Sequence, residues 1–189
     1  MDVRTTKLNG VLIITPKRFG DARGWFSETY QQSRYRDAGV PVSFVQDNMS
    51  LSRDIHTVRG LHFQRPPFVQ AKLVQAVRGR LLDVAVDLRP GSPTYGQHVA
   101  VELDAESGRQ LFIPGGFAHG FCTLEPDTQV LYKCSAPYAP AADGGVLWHD
   151  PDLAIDWPVG PDRAVVSDKD RGLPRLTDLG LIDWQDGPH

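Results

Sequence analysis

The feature that most constrains this chain is a dense series of short strand-like segments. About nine stretches of apolar, β-branched and aromatic residues are separated by Gly, Pro, Asp and Asn, while helix signals are scarce. Short strands at this spacing are typical of a β-sandwich or barrel. The segments are GVLIITPKRF, VSFVQDNMSLSR, VRGLHFQ, AKLVQAVRG, RLLDVAVDLR, GQHVAVELD, RQLFIPG, AHGFCTLE and TQVLYKCSA.

Side-chain alternation is clearest in the segment LLDVAVDL. Successive side chains of a strand point to opposite sides, so its purely apolar positions and its two acidic positions fall on different faces. Leu82, Val84, Val86 and Leu88 share one face, and Asp83, Ala85 and Asp87 share the other.

The remainder of the chain indicates little helix. Residues 30–40, YQQSRYRDAGV, are compatible with one short helix closed by Gly39. Residues 150–189 are rich in Asp, Pro and Trp and lack periodicity, so we expect loops and short helices that wrap the barrel. We predict one mainly-β domain over residues 1–189, with the barrel at about 10–150 and the wrapping segment at about 151–189.

Composition excludes several classes of protein. The formal net charge is −3 and the basic residues are scattered, which argues against a nucleic-acid-binding surface and favours a small anionic ligand. The sequence contains no run of about 18 apolar residues, so we expect no transmembrane helix. The N-terminus lacks the pattern of a signal peptide. We therefore expect a cytoplasmic protein in which Cys122 and Cys134 act as small buried hydrophobes rather than as a disulfide.

Three basic residues stand inside or beside strand-like runs in VRGLHFQRPPFVQAKLV, residues 58–74. Burying Arg59, His62 and Lys72 costs free energy unless they meet partners, so we expect them to face a site. Pro66 and Pro67 cannot continue a strand ladder and predict a turn between the two runs.

The same stretch raises the question of a metal. Residues 114–119, PGGFAH, resemble the second motif of the cupin barrels, but the first motif here reads His62-Phe63-Gln64 in place of H-x-H. Gln70 and Lys72 occupy the segment where its glutamate would fall. Because a divalent metal prefers neutral imidazole and carboxylate ligands, this set predicts no metal. His62, Lys72 and a strand tyrosine, Tyr132, could instead perform acid–base chemistry if they converge.

Nine motifs in order make the chain similar to the dTDP-4-dehydrorhamnose 3,5-epimerase family. They extend from about residue 10 to residue 175 and so cover nearly the whole chain. The motifs are FGDARGWFSETY, FVQDNMSLS, VRGLHFQ, QAKLV, DVAVDLRPGSPTYG, LFIPGGFAHGF, LYKCSAPYAP, GGVLWHDPDLAIDWP and VSDKDRGLP.

The resemblance implies a cupin-type double-stranded β-helix, or jelly-roll barrel, without metal or other cofactor. It implies inversion of C3 and C5, both α to the C4 ketone, in dTDP-4-dehydro-6-deoxy-D-glucose, on the route to dTDP-L-rhamnose. By family position His62 is the base, Asp170 orients it, Lys72 stabilises the enolate oxygen and Tyr132 re-protonates the carbon from the opposite face.

The resemblance also implies the residues that bind the substrate and a homodimer with a swapped N-terminal segment, through which Arg23 reaches a phosphate in the partner's site. Arg59 belongs to the pocket, and Phe19 and Tyr138 contact the thymine. The expected substrate-binding residues are Phe19, Arg23, Glu28, Gln46, Asn48, Arg59, His119, Tyr138, Asp143 and Lys169. Asp143 departs from the family's frequent glutamate, and its shorter side chain weakens the expectation at that position.

Three alternatives stay open from the sequence. Relatives in deoxysugar pathways invert a single carbon with the same His, Lys, Tyr and Asp. A non-catalytic sugar-nucleotide-binding cupin would have no need of a base and an acid. A metal-dependent cupin oxygenase or isomerase would require a bound metal.

Overall fold

The protein, described over residues 1–184 by a computed structural model, is built mainly from β-strands. The strands are β1 Asp2–Thr5, β2 Leu12–Thr15, β3 Arg18–Asp21, β4 Gly24–Ser27, β5 Gln46–Ser52, β6 Val58–Gln64, β7 Lys72–Arg78, β8 Arg80–Asp87, β9 His98–Asp104, β10 Gln110–Ile113, β11 Phe117–Thr123, β12 Thr128–Cys134 and β13 Asp143–Gly145. The helices are α1 Gln32–Asp37, α2 Asp168–Arg171 and α3 Leu176–Leu179, with a 3-10 turn at Pro140–Ala142.

Two antiparallel sheets form the body of the molecule. One has the order β1-β2-β10-β7-β12-β5, the other has the order β13-β6-β11-β8-β9, and β3 and β4 form a separate hairpin. This arrangement confirms the predicted mainly-β, jelly-roll architecture with few short helices. The chain turns at residues 66–67 between β6 and β7, as the two prolines predicted.

The main core lies between the two sheets. It joins apolar side chains of β7, β10 and β12 from the first sheet to those of β8, β9 and β11 from the second. The alternation in β8 explains its role: Leu81 and Ala85 join this core, and Asp83 lies on the same face. The barrel interior therefore receives the acidic face of β8.

The opposite face of β8 is buried as well. Val84, Val86 and Leu88 pack against residues of the C-terminal segment, including Leu153 and Ile182. An alternating strand is thus covered on both sides, one by the facing sheet and one by the segment after β13. Residues 185–189, the end of the segment predicted to wrap the barrel, lie outside the described residues.

The predicted helix at residues 30–40 is present and shorter. In α1 the Gln31 side chain accepts a hydrogen bond from the backbone N–H of Arg34, and Gly39 follows the helix at φ +97°. Tyr35 anchors α1 because its hydroxyl donates to the side-chain oxygen of Gln110 at 2.7 Å.

The two cysteines match a simpler expectation. Cys122 and Cys134 are free and buried, as predicted for small hydrophobes. Among residues 1–184 there is no helix with the length and apolar character that a membrane crossing requires.

Candidate active site

Two adjoining cavities mark the candidate site. Their volumes are about 580 and 510 Å³, and His62, Lys72, Tyr132 and Lys169 line both. The four side chains come from β6, β7, β12 and α2, elements that are distant in sequence. The fold therefore brings together four basic and phenolic groups that the sequence singled out, three as catalytic residues and Lys169 as a binding residue.

The base and the acid predicted from the sequence come from opposite sheets. His62 lies on β6 of the five-stranded sheet, while Tyr132 lies on β12 of the six-stranded sheet. Lys72 starts β7 and is paired with Cys134 of β12, one pleat along from Tyr132. A planar intermediate held between the sheets would be flanked by His62 on one side and Tyr132 on the other.

Asp170 holds His62 in one orientation. The Nε2 atom of His62 lies 2.7 Å from Oδ1 of Asp170, and Oδ2 of the same carboxylate accepts the backbone N–H of Gly60 at 3.0 Å. A neutral imidazole in this pair carries its proton on Nε2, which leaves Nδ1 as the free basic nitrogen. The pair is thus arranged as a base and its orienting carboxylate.

The ionisation of Asp170 suits this role. Burial raises the pKa of its carboxyl, but the hydrogen bonds from His62 and from the backbone of Gly60 outweigh burial, and the pKa is lowered. Asp170 is therefore an anion at neutral pH and stabilises the imidazolium that forms when His62 takes a proton.

Gly60 allows this arrangement through its conformation. Its φ is +115°, and a Cβ at this position would lie 2.7 Å from the Cα of Gly120 and from the carbonyl oxygen of His119. Only glycine permits both the backbone angle and the close approach of β6 to β11. The same residue donates its N–H to Asp170, so the close approach also positions the carboxylate.

Lys72 and Tyr132 have shifted ionisation. Burial lowers the pKa of Lys72, and the surrounding negative charges oppose that shift. Burial raises the pKa of Tyr132, which keeps the phenol protonated and able to donate. An ammonium at the cavity wall and a protonated phenol are the groups that an enolate intermediate would require.

His119 forms a second histidine–aspartate pair. Its Nε2 lies 2.7 Å from Oδ1 of Asp83, and both side chains are buried. His119 of β11 stands directly opposite His62 of β6 in the strand register and lines the second cavity, as predicted for a sugar-pocket residue. Burial lowers the pKa of His119 despite the adjacent carboxylate, so the imidazole is neutral at pH 7.

The first cavity continues into a polar region predicted to bind the nucleotide. Gln46 donates to the side-chain oxygen of Asn48 at 3.0 Å and accepts the backbone N–H of Tyr138 at 2.9 Å. Lys169 contacts Asp143, which raises the pKa of Lys169, and the hydroxyl of Tyr138 lies 3.4 Å from the same carboxylate. Asp143 thus reaches the cavity although it is shorter than the family's frequent glutamate.

Arg59 stands at the edge of the second cavity. Its guanidinium donates to the hydroxyl of Ser52 and to the carbonyl of Leu51, each at 3.2 Å. Arginine held in this way presents its remaining N–H groups to an anionic ligand.

Three predicted binding residues lie outside both cavities within one subunit. Phe19 is 55% exposed on the β3–β4 hairpin, Arg23 at the hairpin turn pairs with Asp21 at 2.6 Å, and Glu28 pairs with Arg34 at 2.8 Å. These positions match a segment that would have to act in a neighbouring subunit, and their binding roles stay predictions.

The residues at the cupin metal positions are engaged otherwise. The amide of Gln64 donates to the carbonyls of Phe68 and Pro137, and its oxygen accepts the N–H of Ala139. Gln64 therefore connects the loop that contains Phe68 with the loop that contains Pro137 and Ala139. Within residues 1–184 no three His, Cys, Asp or Glu side chains converge as a metal-binding group. A reaction without metal remains the prediction.

Among the polar groups to which the sequence analysis gave no role, two matter for the site. Asp83 was placed on the acidic face of β8 but received no role, and Ser50 of β5 lines the second cavity with its hydroxyl buried. The alternation in β8 placed Asp83 on the face opposite the valines, but alternation alone does not tell whether that face meets solvent or the barrel interior. Nothing in the sequence distinguishes Ser50 from other strand serines.

Comparison with known proteins gives the family. The profile of the dTDP-4-dehydrorhamnose 3,5-epimerase family matches residues 5–178. A dTDP-4-dehydrorhamnose 3,5-epimerase of Sinorhizobium fredii is 52% identical over 169 residues, which cover 89% of this chain and 86% of that protein. A dTDP-4-dehydrorhamnose 3-epimerase of Streptomyces niveus is 42% identical over 185 residues, covering 96% of this chain and 88% of that protein.

A solved structure agrees in fold. The 3,5-epimerase of Legionella pneumophila in complex with dTDP-4-keto-L-rhamnose superposes with a TM-score of 0.90 at 42% identity, and 96% of each chain is covered. The fold and the cavities define an isomerase whose jelly-roll barrel holds acid–base groups on facing sheets. The chain belongs to the dTDP-4-dehydrorhamnose 3,5-epimerase family.

Proposed function

We propose that this protein inverts C3 and C5 of dTDP-4-dehydro-6-deoxy-D-glucose and forms dTDP-4-dehydro-L-rhamnose in dTDP-L-rhamnose biosynthesis. The observation that carries the proposal is the placement of His62, oriented by Asp170, and Tyr132 on facing sheets around shared cavities. Removing a proton from one face of a carbon and returning one to the other face requires such an arrangement.

His62 begins the reaction. Its Nδ1 takes the proton from a carbon next to the C4 ketone, and Asp170 stabilises the resulting imidazolium. The ketone makes this possible because the electron pair left on carbon moves onto O4. The planar enolate then has two open faces.

Lys72 is the cation placed for O4. Its ammonium lines both cavities, and burial strengthens its attraction to a developing oxyanion because there is little water to screen it. One oxyanion donor of this kind contributes about 10²–10³ in rate.

Tyr132 completes each inversion. Its phenol donates a proton to the face opposite His62, and His62 and Tyr132 then exchange protons with solvent before the second carbon reacts. The raised pKa of Tyr132 keeps the proton on the phenol until the enolate forms.

The nucleotide occupies the polar cavity in this proposal. Gln46 and Asn48 offer amide groups and Tyr138, 56% exposed, offers an aromatic face to the thymine. Arg59, Lys169 and the partner's copies of Arg23, Phe19 and Glu28 complete the binding of the diphosphate and base. His119 borders the sugar, and Asp143 fixes Lys169. No cofactor takes part in these steps.

A homodimer with a swapped N-terminal segment is part of the proposal. The β3–β4 hairpin exposes apolar side chains, with Trp25 59% and Phe26 70% exposed, and Met49 on the edge strand β5 is 69% exposed. Large exposed apolar side chains on a hairpin and on an edge strand support an interface at these elements. We further propose a cytoplasmic enzyme whose partners include neither nucleic acid nor a membrane.

The test is turnover of dTDP-4-dehydro-6-deoxy-D-glucose coupled to the reductase that consumes the doubly inverted sugar. We expect dTDP-L-rhamnose as the product, identified by NMR, and loss of turnover in His62→Ala. A product inverted at one carbon would assign this chain to the single-carbon epimerases, as the Streptomyces niveus relative is named. Binding of the sugar nucleotide without turnover would overturn the enzymatic proposal.

A further inference from the structure

A fully buried carboxylate faces the candidate site from β8. Asp83 is 0% exposed, its Oδ1 is paired with His119, and its Oδ2 makes no hydrogen bond within residues 1–184. Buried carboxylate oxygens almost always have a donor, so an unpaired one at a functional cavity requires an explanation.

Lys72 offers that explanation. In the part of the chain that the structure describes, its ammonium has no hydrogen bond and no carboxylate within ion-pair distance. Burial lowers the pKa of Lys72, and Cys134, Asp83 and Asp143 oppose that shift. Burial raises the pKa of the Cys134 thiol, which is therefore neutral at pH 7 and leaves the two carboxylates as the negative charges. Because Asp143 is already paired with Lys169, Asp83 is the carboxylate whose charge is not neutralised by another cation.

His119 does not neutralise Asp83 either. Burial lowers the pKa of His119, so at pH 7 it is a neutral ring that donates from Nε2 to Asp83. This hydrogen bond fixes the tautomer and leaves Nδ1 as an acceptor. Both cavity histidines, His62 and His119, therefore have Nε2 committed to a carboxylate, and they stand opposite each other in the register of β6 and β11.

We propose that Asp83 is a positioning residue for the epimerisation: it keeps the Lys72 ammonium charged without binding it, and it fixes His119 as a hydrogen-bond acceptor. The inference rests on the proposed function. An ammonium held by a direct ion pair would have to leave its partner before it could bind O4, whereas Lys72 keeps its N–H groups available. Nδ1 of His119 accepts a hydrogen bond from a sugar hydroxyl, which fixes the sugar ring relative to His62.

Other titratable and charged groups surround Lys72 and His119, and each of them can contribute to the pH dependence of the reaction. They are His62 and Arg59 on β6, Tyr132 and Cys134 on β12, Asp143 on β13, and Lys169 and Asp170 on α2. The test therefore changes Asp83 alone and compares whole pH profiles.

The first experiment is Asp83→Asn, which keeps the shape of the side chain and removes its charge. We expect kcat near pH 7 to fall about 10- to 100-fold, less than the loss from deleting an oxyanion donor itself, and the KM to rise modestly, because Nδ1 of His119 then accepts a hydrogen bond in only one of two tautomers. The high-pH limb of kcat, where Lys72 loses its proton, should move to lower pH by about one unit. A folded variant with the wild-type limb would overturn the proposal.

Asp87→Asn is the matched control. Asp87 lies on the same face of β8, is equally buried, and binds Arg89, Ser92 and Thr94 away from both cavities. We expect a lower melting temperature with an unchanged pH profile. A shift of the limb in both variants would mean that general destabilisation, and not the charge of Asp83, moves it.

The second experiment does not depend on turnover. Ring ¹⁵N shifts of His119, assigned by comparison with His119→Gln, should show a neutral ring protonated on Nε2 in the wild type and a mixture of tautomers in Asp83→Asn. A wild-type ring protonated on Nδ1 would overturn the inference whatever the enzyme's substrate. A wild-type enzyme that shows the expected tautomer but does not turn over the sugar would count against the proposed function alone.

Discussion

In the proposed mechanism, individual side chains act on the two faces of one enolate intermediate. His62 lies on the five-stranded sheet and Tyr132 on the six-stranded sheet, so proton abstraction and re-protonation would be separable steps. Lys72 would serve both steps, because the enolate formed by the first and consumed by the second carries its negative charge on O4. Each of these residues therefore has a distinct signature when it is removed.

Tyr132→Phe should uncouple exchange from inversion. His62 still forms the enolate, but only the original face can be re-protonated, so solvent deuterium enters the substrate with retention. We expect product formation to fall about 10²- to 10⁴-fold while exchange measured by mass spectrometry continues. His62→Ala should abolish both. Wild-type product formation by Tyr132→Phe would exclude Tyr132 as the acid.

The residue types at the site were predictable, but not their partners. The cost of burying a charge indicated that His62 and Lys72 face a site, and family likeness supplied the roles of Tyr132 and Asp170. The contact between His62 and Asp170 joins residues separated by 108 positions, and no local pattern specifies it. Asp83 was missed because the acidic face of an alternating strand usually meets solvent, and the sequence does not show that this one meets the barrel interior.

At the scale of elements, β8 shows how a carboxylate can organise a loop. Asp87 ends the strand and accepts hydrogen bonds from Arg89, Ser92 and Thr94 in the segment that follows. Burial raises the pKa of Asp87, yet these donors outweigh it and lower the pKa to about 2. A carboxyl with a lowered native pKa stabilises the fold above its unfolded pKa, and that stability is lost as the pH falls through the native value.

Asp87→Asn should therefore lower the free energy of unfolding by about 2 kcal/mol at neutral pH. The difference from wild type should shrink once the pH falls below about 4, with about half of it lost by pH 3. Urea unfolding across that range measures it. A difference that stays constant from pH 7 to pH 3 would show that the Asp87 charge contributes nothing.

Gly60 links two strands to the base. Gly60→Ala places a Cβ against the backbone of β11 and forces an unfavourable positive φ, so we expect a loss of about 2–4 kcal/mol in unfolding free energy and a fall in kcat. Gly160→Ala is the control, since nothing lies within 4 Å of its Cβ position. Equal stability of the two variants would contradict the close-approach argument.

Nine strands, β2 and β5 to β12, were predictable because alternation and turn residues are local signals, whereas β1, β4 and β13 lie outside the predicted segments. α1 appeared within its predicted range for the same reason, through its short polar cap and Gly39. The burial of both faces of β8 was less evident. Alternation identifies one apolar face, but it does not show that the C-terminal segment covers this face while the acidic face turns into the barrel.

At the scale of the molecule, the site is expected to need two chains. Arg23 is exposed on its own subunit, with its side chain 88% accessible, and in the swapped dimer it would act in the partner's site. The sequence could not show this geometry, because pairing between chains leaves no periodic signal within one of them.

Mixing two inactive variants tests the swap. Refolded together in equal amounts, His62→Ala and Arg23→Ala should form heterodimers in which one site has both wild-type residues, which restores about one quarter of wild-type activity at random assortment. Each variant refolded alone is the control and should stay far below that level. No recovery in a mixture that size-exclusion and mass spectrometry show to contain heterodimers would contradict a shared site.

The central claim is that two carbons flanking one ketone are inverted by proton transfer between His62 and Tyr132. Turnover of dTDP-4-dehydro-6-deoxy-D-glucose in D₂O, with the pathway reductase trapping the product, tests it most directly. We expect one deuterium at C3 and one at C5 of the dTDP-L-rhamnose formed, located by NMR. Label at C3 alone would contradict double inversion, and inverted product without label would contradict exchange through solvent-equilibrated acid and base groups.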